Sequence, residues 1–162
     1  MDASSNTSSR FGRAAALYLR LALATAFLSA VADRFGIWGE RGDPGVAWGD
    51  FDHFLAYTAS LVPFLPEAGV SFVGRTATVL EVALSLALLV GFKVRAAAAG
   101  SGLLLLAFGL GMVMGGGPKG PLDASVFTAS AGALLLYVYP RSYGKSAEAG
   151  EVRSSGQRNR SY

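Results

Sequence analysis

Two charged side chains, Arg20 and Glu81, stand inside otherwise apolar stretches of this sequence. An ionised group at the centre of a bilayer costs at least about 2.5–3.5 kcal/mol, so such a group faces a helix bundle, pairs, or lines a wet cavity. Glu81 has a short stem and snorkels poorly. Thr78, Glu81 and Ser85 fall at i, i+3 and i+7, which makes a polar stripe on one helix face. Glu81 is therefore either protonated and hydrogen-bonded or paired with a cation, and it leads the candidates for a functional residue. Counting rises of 1.5 Å puts Arg20 and Glu81 roughly 7 Å apart in depth. A long arginine closes that gap as a partner, or else snorkels to the interface alone. A second group, Asp33, Arg34, Arg75, Lys119 and Asp123, gathers at expected helix ends. It reads as the rim of a small polar vestibule or as a solvated edge, with Asp123 placed to cap the following helix.

Other chemistry is excluded by composition. There is no cysteine and one histidine, His53. Disulfides, iron–sulfur clusters, Cys-ligated zinc and bis-His haem are ruled out, and no metal site is expected. His53 and Tyr57 lie four apart and can touch, although a solvated His53 is the simpler reading. Gly115-Gly-Gly-Pro118 lacks the strand–loop–helix setting and Gly-Lys-Ser/Thr ending of a phosphate loop. Arg41-Gly-Asp43 reads as a charged turn before Pro44 rather than an adhesion tripeptide.

These residues need apolar elements to position them. Of 162 residues, 52% are hydrophobic and 15% charged, against about 25% charged in an average soluble domain. Residues 96–118 contain no Asp, Glu, Lys or Arg. A spanning helix needs about 20 mostly apolar residues. Four stretches fit or nearly fit: 14–32, 72–92, 94–114 and 122–139. Lys93 and Arg95 mark a tight turn between the second and third. The expected fold is all-α: a polytopic membrane four-helix bundle.

Between the first two spans, Asp50 can cap a helix over 51–62 that Pro63 and Pro66 terminate. Phe51, Phe54, Leu55, Thr58, Leu61 and Val62 share one face. The segment is too short to span and suits an amphipathic helix in the outer interface, flanked by Trp38 and Trp48 as anchors. Rows of small residues, Ala107/Gly111/Gly115 and Ser125/Ala129/Ala133, suit close helix packing.

Arg10, Arg13, Lys93, Arg95, Arg141, Lys145, Arg153, Arg158 and Arg160 fall on one side of four spans. The positive-inside rule then places both termini in the cytoplasm, as a multi-pass protein of the cell membrane. Residues 1–13 read as a disordered N-terminus and 140–162 as a disordered basic tail drawn to anionic lipid. Ala30-Val-Ala32 also resembles a signal-cleavage site, which would leave three spans. The apolar stretch upstream of Arg20 favours an uncleaved span. The net charge of +3 follows from inner-face residues and calls for no nucleic acid.

The run Tyr18-Leu-Arg-Leu-Ala-Leu23 resembles the start of DoxX-like membrane proteins. So does Glu81 followed by Leu86-Ala-Leu-Leu-Val-Gly91-Phe-Lys-Val-Arg95. Ala32-Asp-Arg-Phe-Gly36 and Lys119-Gly-Pro-Leu-Asp-Ala-Ser-Val-Phe127 are similar to one subgroup of that family. The resemblance covers roughly residues 14 to 139. It implies a four-helix membrane protein that serves as an accessory subunit of a quinone-linked oxidoreductase complex, with Arg20 and Glu81 as site residues and a quinone as the associated cofactor. Many members carry Gly-x-x-Lys where this chain has Asp33-Arg-Phe-Gly36. Two other readings stay open: a non-catalytic scaffold or assembly factor, alone or as a homo-oligomer, and a small-solute carrier working through the stripe of Glu81.

Overall fold

The computed structural model describes residues 3–139, with side chains from Arg10 onward. The expected basic tail, 140–162, lies outside the described residues. Six helices follow in order: α1 (Ala3–Arg34), α2 (Phe51–Leu61), α3 (Glu67–Val90), α4 (Val94–Gly116), α5 (Lys119–Asp123) and α6 (Val126–Tyr139). Among the described residues there is no strand.

Three of the helices are long and apolar enough to cross a membrane: α1 over the 25 residues Arg10–Arg34, α3 with 24 residues and α4 with 23. At 1.5 Å per residue each exceeds the roughly 30 Å of hydrocarbon. The fourth expected span, 122–139, is broken. Ser125 adopts a left-handed conformation with φ +55°. It splits the five-residue α5 from α6, whose first turn begins with the Ala129 N–H donating to the Ser125 carbonyl. Helix α6 as described is apolar but roughly 20 Å long.

The first helix starts at Ala3, upstream of the expected boundary at residue 14. Extending a formed helix adds a hydrogen bond for each residue fixed, whereas starting one does not, so polar residues can continue a helix already nucleated by an apolar span. Helix α3 also starts early, at Glu67, with Pro66 at its N-cap and an acid in its first turn. The proline's fixed φ and the helix dipole favour both residues there.

The α3–α4 turn falls where the charges suggested. Gly91 is left-handed at φ +83°, and the N–H groups of Gly91 and Phe92 both donate to Ala87 O, at 3.0 and 2.9 Å. A glycine there costs nothing sterically.

The core interleaves alanines with three leucines. Leu23 and Ala24 of α1, Leu88 of α3, Ala97 and Ala98 of α4, and Ala133 and Leu136 of α6 form one buried cluster. Small side chains let the four backbones approach closely. The bulkier residues turn outward: Val79, Leu86, Val90, Leu103, Leu110 and Leu135 are exposed. Large apolar patches of that kind mark a surface meant for something other than water.

The small-residue rows work differently from expectation. Ala107 is exposed. Gly111 and Gly115 meet Leu61 and Ser60 of α2, not another long helix. Close packing of α4 on α6 uses Gly102, against Leu134, and Gly109, against Phe127. The Ser130 hydroxyl donates to Gly102 O at 2.7 Å across that contact. Ala129 and Ala133 do lie in or against the core.

Candidate functional site

The last turn of α1 carries Asp33 and Arg34. Successive helical residues point about 100° apart, so the two side chains serve different neighbours. Both are buried, at 6% and 2% relative exposure.

Arg34 turns toward α3. Its guanidinium makes a two-pronged pair with Glu81: Nη2 donates to Oε1 at 3.0 Å and Nη1 to Oε2. Nη1 also donates to the Thr78 hydroxyl at 2.8 Å, and that hydroxyl donates in turn to Gly74 O at 2.9 Å. The Phe54 ring of α2 lies 3.9 Å from the guanidinium carbon, and the Trp48 ring 5.4 Å. The planar fork of arginine suits both the bidentate carboxylate and the aromatic stacking. Arg34 Nε is buried without a hydrogen-bond partner.

Asp33 turns toward the α1–α2 loop. Its carboxylate accepts the backbone N–H groups of Ala47 at 2.9 Å, Gly49 at 3.2 Å and Trp48 at 3.4 Å. Gly36 ends α1 at φ +70°, and a side chain there would strike Gly49 O. Asp33 thus folds residues 47–49 back over the end of α1 and sets Trp48 against Arg34.

Helix α2 closes the site. Asp50 caps it, accepting the His53 N–H at 2.8 Å. Phe54 and Thr58 are its buried residues. Gly74 of α3 lies against Leu55 and Phe54, where a side chain would overlap the first and crowd the second. That glycine lets α2 settle onto α3 directly above the ion pair. The rings of Phe35, Phe51, Phe54, Trp48 and Tyr57 form a chain of contacts with centroids 5.4–6.2 Å apart, inside the favourable range for aromatic pairs.

The expected partnerships change. Arg20 does not pair with Glu81. Its Nη2 and Nε donate to Leu88 O at 2.7 and 3.1 Å. Leu88 lies in the last turn of α3, where carbonyls lack helical partners, so Arg20 caps that helix end. Leu88 stands roughly 10 Å along α3 from Glu81. Ser85 is buried on the same stripe, but its hydroxyl donates to Glu81 O at 2.6 Å and not to the carboxylate. Of the stripe, Thr78 and Glu81 belong to the site.

The expected rim does not assemble. Asp33 and Arg34 are buried beneath the loop, Arg75 is exposed, and Lys119 and Asp123, both exposed, pair with each other on α5. Asp123 therefore serves Lys119 and not the start of α6. Trp48, expected as an interfacial anchor, packs inward, whereas Trp38 is exposed with its indole N–H on Ser29 O. His53 does not lean on Tyr57. Its Nδ1 lies 2.7 Å from Asp50 Oδ2.

Two groups outside the long helices have shifted acidities. The Asp50 carboxyl is held below its ordinary value, first by the His53 backbone N–H. Partial burial pushes the Tyr57 phenol up. Among the described residues, no cluster of three or more His, Asp or Glu is placed to hold a metal ion.

Both Glu81 oxygens are engaged by Arg34, and the two side chains are 2% and 3% exposed. What this arrangement does chemically is fasten α1, α2 and α3 at one end of the bundle. The signal for it lay in Arg34 ending the first span and in the aromatic pair Trp48 and Phe54.

Compared with protein-family models, with curated proteins and with solved structures, the chain matches none.

Proposed function

We propose that this chain is a four-span integral membrane protein acting as a non-catalytic membrane subunit, a module that anchors or organises a partner. In this reading α6 is the fourth span, α2 lies in the outer interface, and both termini are cytoplasmic. The supporting observation is the Arg34–Glu81 pair. The intramembrane carboxylate best suited to carry a proton or meet a substrate is saturated by a guanidinium and covered by Phe54. Breaking such a pair is costly, and its use here is to fix one arrangement of helices. The outward-facing Leu and Val side chains then remain for lipid and for a partner helix.

The resemblance to DoxX-like proteins supplies the class of partner: a quinone-linked oxidoreductase subunit that brings its own electron carriers. A quinone would then sit with that partner and not at Glu81.

The test is purification from the native host in gentle detergent, with mass spectrometry of every protein and quinone that co-elutes. A stoichiometric oxidoreductase subunit supports the proposal. A chain that elutes alone overturns the partner assignment. The lack of cysteine makes topology mapping simple. Single cysteines replacing Ser8 and Glu40 should label from the inside and the outside respectively. Labelling of both from one side overturns the four-span arrangement.

A further inference from the structure

A cavity of about 300 Å³ opens beside the sealed site, lined by Arg41, Ala47, Trp48, His53, Ala56 and Tyr57. That volume lies at the lower end of the range for small-molecule pockets. Its two walls are held by separate devices. The loop wall is fixed by Asp33, whose carboxylate gathers the Ala47, Trp48 and Gly49 amides. Gly49 in turn lies so close to the Glu40–Arg41 backbone that a side chain there would overlap it. The helix wall is α2, where His53, Ala56 and Tyr57 fall at i, i+3 and i+4 on one face. Asp50 holds both the start of that helix and the His53 ring.

The lining has a definite chemistry. The Arg41 guanidinium has no ion pair or hydrogen bond among the described residues, so it is a cation available to a ligand. Asp50 engages His53 Nδ1, so in the neutral ring Nε2 is an acceptor and the anion's charge is left to Arg41. The Trp48 and Tyr57 rings stand 6.2 Å apart and offer an apolar floor. Ala47 and Ala56 leave the space open. Among the described residues no carboxylate lines the cavity.

We infer that this pocket is a binding site for a small anion with an apolar or aromatic body, a carboxylate or phosphate ester whose charge meets Arg41 and whose body lies on Trp48 and Tyr57. Guanidinium forks match carboxylate and phosphate geometry, and flat aromatic rings hold apolar bodies at low entropic cost. The site lies outside the long helices and is independent of what the helices anchor. The anion comes from solution or from the headgroup of an anionic lipid.

The test uses the full chain in detergent micelles. Trp38→Phe leaves Trp48 as the single tryptophan, so its fluorescence reports on the pocket. Phenyl phosphate and benzoate are the probes, benzyl alcohol is the neutral control, and inorganic phosphate is the anion without a body. The expected result is saturable quenching by the aromatic anions, at least tenfold weaker for benzyl alcohol and inorganic phosphate. Arg41→Gln should weaken it at least tenfold, and Ala56→Leu, which fills the space, should abolish it. Both side chains are exposed, so both variants should keep the wild-type circular dichroism. Non-saturating quenching, or binding that either variant leaves unchanged, overturns the assignment. Repetition in nanodiscs separates the two sources. At high salt, where the surface charge of the anionic bilayer is screened, weaker phenyl phosphate binding in phosphatidylglycerol than in phosphatidylcholine identifies the lipid headgroup, and equal binding identifies a soluble anion.

Discussion

Helix α1 sends an arginine to α3 at two levels, and the two levels are built on different principles. At one end, Arg34 meets a carboxylate, a hydroxyl and an aromatic ring, all buried. At the other, half-buried Arg20 meets a single backbone carbonyl, Leu88 O, beside a core of alanines and leucines. The first is a charge-compensated knot that also fixes a loop and a short helix. The second is a helix cap that completes a hydrogen bond the chain would otherwise leave open. A charge carried far from water has to be compensated there by a partner charge, whereas a charge nearer the surface can be spent on the backbone.

Breaking the first level should therefore cost most. Glu81→Ala leaves the Arg34 guanidinium buried without its counter-charge, a loss of about 3–5 kcal/mol. Thermal unfolding in detergent should show it as a large fall in Tm. Adding Arg34→Met should recover most of the loss, because the double variant buries no unpaired charge. A double variant as unstable as Glu81→Ala would mean that the knot does more than balance charge. Asp33→Ala is the next test of the same end. It frees three backbone N–H groups in a part-buried loop, which water reaches in part, so the loss stays toward the lower end of the about 1–3 kcal/mol that an unmet buried donor costs. Hydrogen exchange at residues 47–49 should accelerate while the core of α3 stays protected. Equal acceleration in both regions would contradict a local clasp.

Arg20→Gln examines the second level. A glutamine is shorter and uncharged, and it forfeits two hydrogen bonds donated by a half-buried charged group, a loss of at most about 1.5–3 kcal/mol. The fall in Tm should be below that of Glu81→Ala. A comparable fall would erase the distinction between the two ends.

The sequence made one level easier to read than the other. Lys93 and Arg95 interrupt a long apolar run, so the α3–α4 turn was plain. Asp50 before Phe51 marked the start of α2. The spacing of Thr78, Glu81 and Ser85 correctly put all three on a buried face. The partner of Glu81 was not legible from depth alone. Counting rises gives height along a helix but neither the rotation of α1 about its axis nor the inward fold of residues 35–50, and both are needed to choose Arg34 over Arg20. The Asp33 clasp uses backbone amides, which leave no trace in side-chain pattern. Gly102 and Gly109 are seven apart, so a search at four-residue intervals passes over the contact between α4 and α6.

The smallest effect belongs to the rim of the knot, at Asp50. Its carboxylate is held in the charged form by the His53 backbone N–H, so its acidity is stronger in the folded chain than in the unfolded one. The sign follows from linkage: a lowered carboxyl value means that the unfolded state binds the proton more readily. The contribution is fully present above the ordinary carboxylate value of 3.8 and fades as pH falls through the lower folded value. Acidification should therefore loosen the first turn of α2, seen as faster hydrogen exchange at residues 52–54. Asn also caps helices but does not titrate in this range. Asp50→Asn should keep α2 closed and flatten that acid step, leaving the rest of the unfolding profile unchanged. If the step persists in Asp50→Asn, the acid sensitivity of α2 resides elsewhere, and the cap is only one of several contacts holding α2 over the ion pair.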